Sequence, residues 1–182
     1  MEKQRSLSLS LAGEPDPGAT MSLSPQTRLA FSALGVVAVG LAALLPALAI
    51  GYWLVGSEAL AYDAGMRMVA IATALLHLLP MSWGLLRLRV CLAQFAAGRP
   101  FGAEGIAGLR DFALGTGLSA VAKPLAGMLF VLALGWNGGP KRIAIEISSD
   151  VMVLALFAGV VAALAWAMRR AALLAEENSQ FV

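Results

Sequence analysis

Lys123 and His77 are the residues most able to do chemistry, because each stands inside a long apolar stretch of the chain. In a helix that rises about 1.5 Å per residue, Lys123 would lie roughly 18 Å into its stretch. The same spacing places His77 about 15 Å into another stretch, counted from the opposite side. Three hydroxyl side chains fall at a similar depth on the facing helices: Thr73, Thr116 and Ser119.

One interpretation of this group is a polar site at the middle of a membrane, with Lys123, His77, Thr73 and Ser119 as candidate ligand-binding residues. A charged side chain at that depth costs at least about 2.5 kcal/mol, so its presence calls for a reason. No Asp or Glu stands within the apolar stretches, so Lys123 would lack a counter-ion and would suit an anionic ligand or a proton. The alternative is structural: Lys123 and His77 would bond to water or to backbone carbonyls that prolines in these helices leave free.

Other kinds of catalytic or metal site find little support. A single cysteine, Cys91, and a single histidine exclude a disulfide within the chain and a zinc site built from Cys and His. The serines have no accessible histidine as a base, and no dinucleotide-binding glycine motif follows a strand. Arg89 could activate Cys91, but an inert thiol at the membrane interface is the simpler expectation. The sequence therefore predicts no enzymatic activity, no cofactor and no metal.

The composition is that of a membrane protein. Of the 182 residues, 59% are hydrophobic and 13% are charged, whereas soluble domains carry about 25% charged residues. Four apolar segments are each long enough to cross a hydrocarbon core of about 30 Å. They cover residues 29–55, 68–86, 112–136 and 151–168, and each has a tryptophan near its C-terminal end: Trp53, Trp83, Trp136 and Trp166. We therefore expect an all-α integral membrane four-helix bundle in the lipid bilayer.

The distribution of Lys and Arg predicts that both termini are cytoplasmic. With the N-terminus inside, the outer side carries Arg67, Lys141 and Arg142. The inner side carries nine basic residues: Lys3, Arg5, Arg28, Arg87, Arg89, Arg99, Arg110, Arg169 and Arg170. A net charge of +2, with no basic run longer than two residues, does not favour direct nucleic-acid binding.

The segments outside the spans differ in composition. Residues 1–26 are rich in Ser, Gly and Pro and are expected to form a disordered cytoplasmic tail, ahead of a membrane domain over 27–182. Met1 and Met21 are both possible starts, and Ser24 would cap the first helix with Pro25 as its first residue. In the loop 137–150, isoleucines alternate with small or polar residues, which predicts a short strand or an extended cap.

The connector 87–111 is expected to form a cytoplasmic helical elbow between helices 2 and 3. Helix 2 would continue to a break at Gly98-Arg99-Pro100, and a short helix from Gly102 would lead into the third span. A docking surface for a soluble partner is one interpretation of the charged residues on the elbow and the last helix; contact with lipid head groups is the other. The candidate docking residues are Arg87, Arg89, Arg99, Phe101, Arg110, Glu176 and Glu177.

Two stretches resemble a bacterial membrane family known as domain of unknown function 2975. In AGRPFGAEGIAGLRDF, residues 97–112, five residues match the family: Gly98, Phe101, Glu104, Leu109 and Arg110. The ending AALLAEENSQFV also looks like that of the family, through Glu176-Glu177-Asn178 and Val182. This sequence departs from the family at Gly105 and Gly108, where helix formers are usual, so we expect a looser helix there.

The resemblance implies an integral membrane protein with no assigned reaction, often encoded beside a small helix-turn-helix regulator. It therefore suggests a regulatory or sensory role exerted through a cytoplasmic partner. The alternative is a small-molecule or ion transporter, or a ligand-binding bundle, that uses the midplane site. A chain with four spans would also be compatible with a homo-oligomer that encloses a pathway.

Overall fold

The computed structural model describes residues 24–136 and 148–179, and this part of the chain is all-α. Four long helices follow one another: α1 over Pro25–Val55, α2 over Ala64–Ala96, α3 over Ala103–Trp136 and α4 over Ser149–Ser179. A short 3-10 turn, Ala59–Ala61, lies between α1 and α2. All four helices are long and apolar enough to cross a membrane. The chain is therefore a multi-pass membrane protein, as its composition predicts.

The first two helices begin at side-chain caps. The Ser24 hydroxyl accepts a hydrogen bond from the Thr27 amide, and Pro25 is the first helical residue, which confirms the predicted start signal. Asp63 caps α2 by accepting hydrogen bonds from the amides of Gly65 and Met66. The first helix thus begins one residue before residue 26, the predicted end of the tail.

α2 runs antiparallel to α1, and α3 runs antiparallel to α2, over their full lengths. At one end of the bundle, Arg28 Nε donates to the Ala96 carbonyl oxygen at 3.1 Å, and the rings of Phe31 and Phe95 are 5.7 Å apart. We call this the hairpin end, because it contains the α2–α3 turn. At the opposite end, which we call the loop end, the Trp53 ring lies 5.7 Å from that of Phe130.

The predicted elbow is a tight helical hairpin. α2 continues to Ala96, the chain turns over residues 97–102 with Gly98 at a φ of +74°, and α3 then runs without interruption to Trp136. The break at Gly98 is therefore confirmed, since a positive φ suits glycine. The second arm is α3 itself, packed against α2, and no separate helix lies along a membrane surface in the described chain.

Glycines bring the backbones of α2 and α3 into direct contact. A Cβ atom on Gly115 would stand 2.5 Å from the Pro80 carbonyl oxygen, and one on Gly108 would stand 2.7 Å from the Arg87 carbonyl oxygen. Gly105 is also buried, with Gln94 Cβ 3.2 Å from its added Cβ position. The expectation of a looser helix at Gly105 and Gly108 is therefore wrong, because these glycines allow the closest packing of the two helices.

The small residues elsewhere do not all serve packing. An added Cβ on Gly40, Gly51, Gly127 or Gly159 would meet no described atom within 4 Å. General packing, which is the simplest interpretation of the glycines in the spans, therefore holds at Gly115 but not at these four positions.

α4 begins level with the middle of α3 and not with its end. Asp150, in the first turn of α4, forms an ion pair with Lys123, and the rings of Phe112 and Phe157 are 6.1 Å apart. α4 therefore packs along the hairpin half of α3. The core of the bundle lies there and draws on all four helices: Ala38, Ala42, Leu85, Cys91, Leu109, Phe112, Ala113, Val161 and Ala165.

The loop before α4 is shorter than expected. Ser149 and Asp150, which the sequence places in a loop ending at residue 150, belong to the first turn of α4. The strand predicted from the isoleucines at 143, 145 and 147 lies outside the described residues, as do both candidate starts, Met1 and Met21.

Candidate functional site

Lys123 has a carboxylate partner. Its Nζ forms an ion pair with Asp150 Oδ2, and the two side chains are 41% and 58% exposed. The expectation that Lys123 lacks a counter-ion is therefore wrong. The cause is the position of α4, whose first turn lies beside the middle of α3 and presents a residue that the sequence assigns to a loop.

The other midplane candidates are only partly brought together. His77 is near enough to Lys123 for their charges to interact, and its Nδ1 atom is buried without a hydrogen bond to any described residue. Thr73 instead donates its hydroxyl to the carbonyls of Val69 and Ala70 in its own helix, each at 3.0 Å.

Two hydroxyl residues are enclosed in α3. Ser119 is 4% exposed and Thr116 is fully buried, and the Thr116 Oγ1 atom has no hydrogen-bond partner in the described chain. Buried hydroxyl groups are normally hydrogen-bonded to protein or water, so a Thr116 hydroxyl without a partner is unusual in the packed region.

Arg87 and Arg110 share a buried carboxylate that the sequence analysis missed. Arg87 Nε and Nη2 lie 2.8 and 2.7 Å from Asp111 Oδ2. Arg110 Nε and Nη2 lie 3.1 and 2.8 Å from Oδ1 of the same residue. The Asp111 side chain is 6% exposed, whereas those of Arg87 and Arg110 are 45% and 61% exposed.

This cluster joins α2 to α3 and leaves an excess of positive charge. A carboxylate buried this deeply needs charged partners, and here two guanidinium groups bond to both of its oxygens. Two cations around one anion leave one positive charge uncompensated within the cluster. Asp111 could have been found from the sequence, because it directly follows Arg110 and directly precedes the apolar run. A carboxylate at the end of a membrane span needs a positively charged partner.

The remaining charged candidates lie on three different elements. Arg89 is exposed on α2, and its Cγ atom lies 3.8 Å from the Cβ position of Gly35 on α1. Arg99 is exposed in the α2–α3 turn, and Glu177 is exposed near the end of α4. α1 packs on α2 whereas α4 packs on α3, and Arg89 lies beside α1.

A groove between α3 and α4 does bring part of the predicted docking set together. It has a volume of about 710 Å³, and Phe101, Arg110 and Glu176 are among the residues that line it. Trp166, Arg169 and Leu173 also line it and were not among the candidates. The Arg170 guanidinium lies 5.8 Å from the centre of the Trp166 ring, within the range of a cation–π contact.

The spacing of the groove residues carries a signal that is readable in the sequence. On α4 the lining residues follow the intervals i, i+3, i+4 and i+7: Ala162, Ala165, Trp166, Arg169, Ala172, Leu173 and Glu176. Such intervals place side chains on one face of a helix. The part of this face up to Trp166 is small and aromatic, and the part beyond it carries Arg169 and Glu176.

Cys91 is buried, being 1% exposed, and it packs against Gly108 of α3. The expected interfacial thiol is therefore a packed core residue. Within residues 24–136 and 148–179, no three His, Cys, Asp or Glu side chains stand close enough to hold a metal ion.

The chain matches no protein-family model, no curated protein and no solved structure. Its resemblance to the domain of unknown function 2975 therefore stays a prediction from the two short stretches that carry it.

Proposed function

We propose that this protein is a non-enzymatic regulatory or sensory protein of the bacterial inner membrane that recruits a cytoplasmic partner at its hairpin end. The observation that carries the proposal is the groove between α3 and α4. It places Phe101 of the hairpin and Glu176 of the last helix on one surface, together with Arg110. Residues that are distant in the sequence would thus be presented to a partner together.

The proposed orientation rests on the basic residues. Of the thirteen Lys and Arg residues, two precede α1, six lie in the hairpin halves of the helices and one lies in the α2–α3 turn. Short membrane loops that carry an excess of Lys and Arg face the cytoplasm. The hairpin end is therefore assigned to the cytoplasm, where a small helix-turn-helix regulator, as the family resemblance suggests, would reach it.

Phe101 is the proposed anchor for the partner. It lies at the tip of the hairpin, its surface is 57% exposed, and an apolar groove opens beside it. Large aromatic side chains that fill a pocket on the partner contribute much of the energy of protein interfaces. The charged side chains of Arg99 and Glu177 would contribute to the rim and to the choice of partner.

The test is a pull-down of the tagged full chain from its native membrane in mild detergent, with mass spectrometry of what is retained. Phe101→Ala is expected to reduce the yield of a stoichiometric soluble partner at least tenfold. Leu60→Ala is the matched control, because Leu60 is 61% exposed at the loop end. Absence of any stoichiometric soluble protein, or equal loss in both variants, would contradict the proposal.

A second candidate function is a ligand-binding or transport role at the level of Lys123. It is favoured by two buried polar atoms without partners in the described chain, His77 Nδ1 and Thr116 Oγ1. Asp150 already neutralises Lys123, which weakens the case for an anion there. A small molecule retained by the wild-type chain and lost in Lys123→Met, with the soluble partner unaffected, would support this function instead.

A further inference from the structure

The groove between α3 and α4 carries more positive charge than its own carboxylates balance. Arg87 and Arg110 share Asp111, and Arg169 forms no ion pair within the described chain. Glu176 also lines the groove, but it follows Arg169 by seven residues, which is about 10 Å along the helix. Around Arg110 and Arg169, the described ion pairs supply one carboxylate, Asp111, and Arg87 shares it, so positive charge is in excess there.

The two arginines that line the groove lean toward each other. The ring contact between Phe112 and Phe157 and the ion pair between Lys123 and Asp150 fix the register of the antiparallel helices. In that register Arg169 lies about two to three turns closer to the hairpin end than Arg110. Because Cα–Cβ bonds tilt toward the N-terminus of each helix, the side chains of antiparallel helices tilt in opposite directions. Arg110 and Arg169 thus approach the same level of the groove.

At this level, α4 has the residues that are typical of a membrane surface. Residues 151–168 carry no charge, and Arg169 is the first charged residue after them. Trp166, which is 65% exposed, stands one turn before Arg169 and lines the same groove. Indole and guanidinium groups that end an apolar run are typical of the interface between head groups and acyl chains. The small side chains of Ala162 and Ala165 leave room beside Trp166.

We propose that an acidic phospholipid binds in this groove, with its phosphate between Arg110 and Arg169 and one acyl chain along Ala162 and Trp166. The excess of positive charge selects an anionic head group, and the apolar floor takes the acyl chain. The site would be specific because Asp111 holds Arg110 in place. This inference does not rest on the proposed partner: it needs no contact at Phe101 or Glu176, and Arg110 is the one residue that the two proposals share.

The test uses the full chain in phosphatidylcholine vesicles, with Trp53, Trp83 and Trp136 changed to Phe so that Trp166 alone reports. Brominated phosphatidylglycerol or brominated phosphatidylcholine is added, and the quenching of Trp166 fluorescence is measured. Half-maximal quenching by phosphatidylglycerol is expected at about one fifth of the concentration that phosphatidylcholine requires, because one arginine near an anionic surface contributes about 1 kcal/mol. Arg169→Gln is expected to remove this preference, whereas Arg169→Lys retains it.

Arg89→Gln is the matched control, since it removes an exposed arginine from the α1 side of the bundle and should leave the preference unchanged. Equal quenching by the two lipids, or an equal loss in Arg89→Gln, would overturn the proposal. Displacement of the phosphatidylglycerol by millimolar inorganic phosphate would also overturn it, because the site would then hold free anions. No soluble protein is present in these vesicles. A negative result would therefore overturn the lipid site without bearing on the proposed partner.

Discussion

The two halves of α3 are built differently, although both are apolar. In the hairpin half, residues 103–120, eleven residues are buried, and α2 and α4 pack on it from two sides. In the remaining half, residues 121–136, only Ala126 and Gly135 are buried. The hairpin half is thus a packed interface between helices, while the other half is largely a surface for lipid.

The charged residues follow the same division. Asp111 in the hairpin half is buried and bonded to two arginines, whereas Lys123 in the other half forms an exposed pair with Asp150. A buried ionic cluster fixes the position of its helices, whereas Lys123 and Asp150 pair at the exposed surface of the bundle. The rigid half carries the groove and the exposed Phe101, so the proposed functions stand on the best-packed part of the molecule.

The largest effect is expected from the glycines of α3. Gly115→Val should lower the free energy of unfolding by about 3 kcal/mol, because the new side chain would collide with the backbone at Pro80 and Gly84. Gly127→Val should leave it unchanged or slightly higher, since no described atom lies within 4 Å of its Cβ position. Unfolding by sodium dodecyl sulfate in mixed micelles measures both. Equal losses in the two variants would break the distinction between the halves.

The next effect concerns the two ionic contacts. Asp111→Asn should cost about 2 kcal/mol, because charge-assisted hydrogen bonds to both arginines are lost at a buried site. Asp150→Asn should cost less than Asp111→Asn, since both side chains of the Lys123–Asp150 pair are exposed at the surface of the bundle. The same detergent titration compares them. A cost for Asp150→Asn as large as that for Asp111→Asn would mean that Lys123 is kept from water by the bilayer.

The last prediction concerns the reactivity of the Cys91 thiol, and the change it needs has the smallest expected effect on stability. Its thiol should react with a membrane-permeant maleimide at least tenfold more slowly than a cysteine at position 93, because Cys91 is 1% exposed and Ala93 is exposed on the same helix. The comparison is made between the wild-type chain and the double variant Cys91→Ala, Ala93→Cys. Similar labelling rates in the folded protein would show that the α2–α3 contact opens readily.

Much of the fold can be predicted from the sequence, because the thickness of the bilayer sets how long an apolar run must be to span it as a helix. The runs fix the number of helices, Ser24 and Pro25 fix the first start, and Gly98 fixes the hairpin. These features depend on local chemistry within a few residues. They therefore need no knowledge of how the helices pack.

The register of α4 is not readable in the same way. It depends on packing between α3 and α4, and residues 137–147 are numerous enough to allow many offsets. The ion pair of Lys123 with Asp150 and the α3–α4 groove follow from that register, so the sequence assigned Asp150 to a loop. Asp111 was missed for a related reason: its arginine partner on α2 is 24 residues away.

Photo-crosslinking from position 101 tests the central proposal most directly. A photoreactive phenylalanine analogue replaces Phe101 in the full chain, and the same analogue replaces Leu60 as the control, in membranes of cells that naturally make the protein. The account predicts a crosslink from position 101, and not from position 60, to one soluble cytoplasmic protein. Crosslinks from position 101 to lipid alone, or the same protein from both positions, would contradict it.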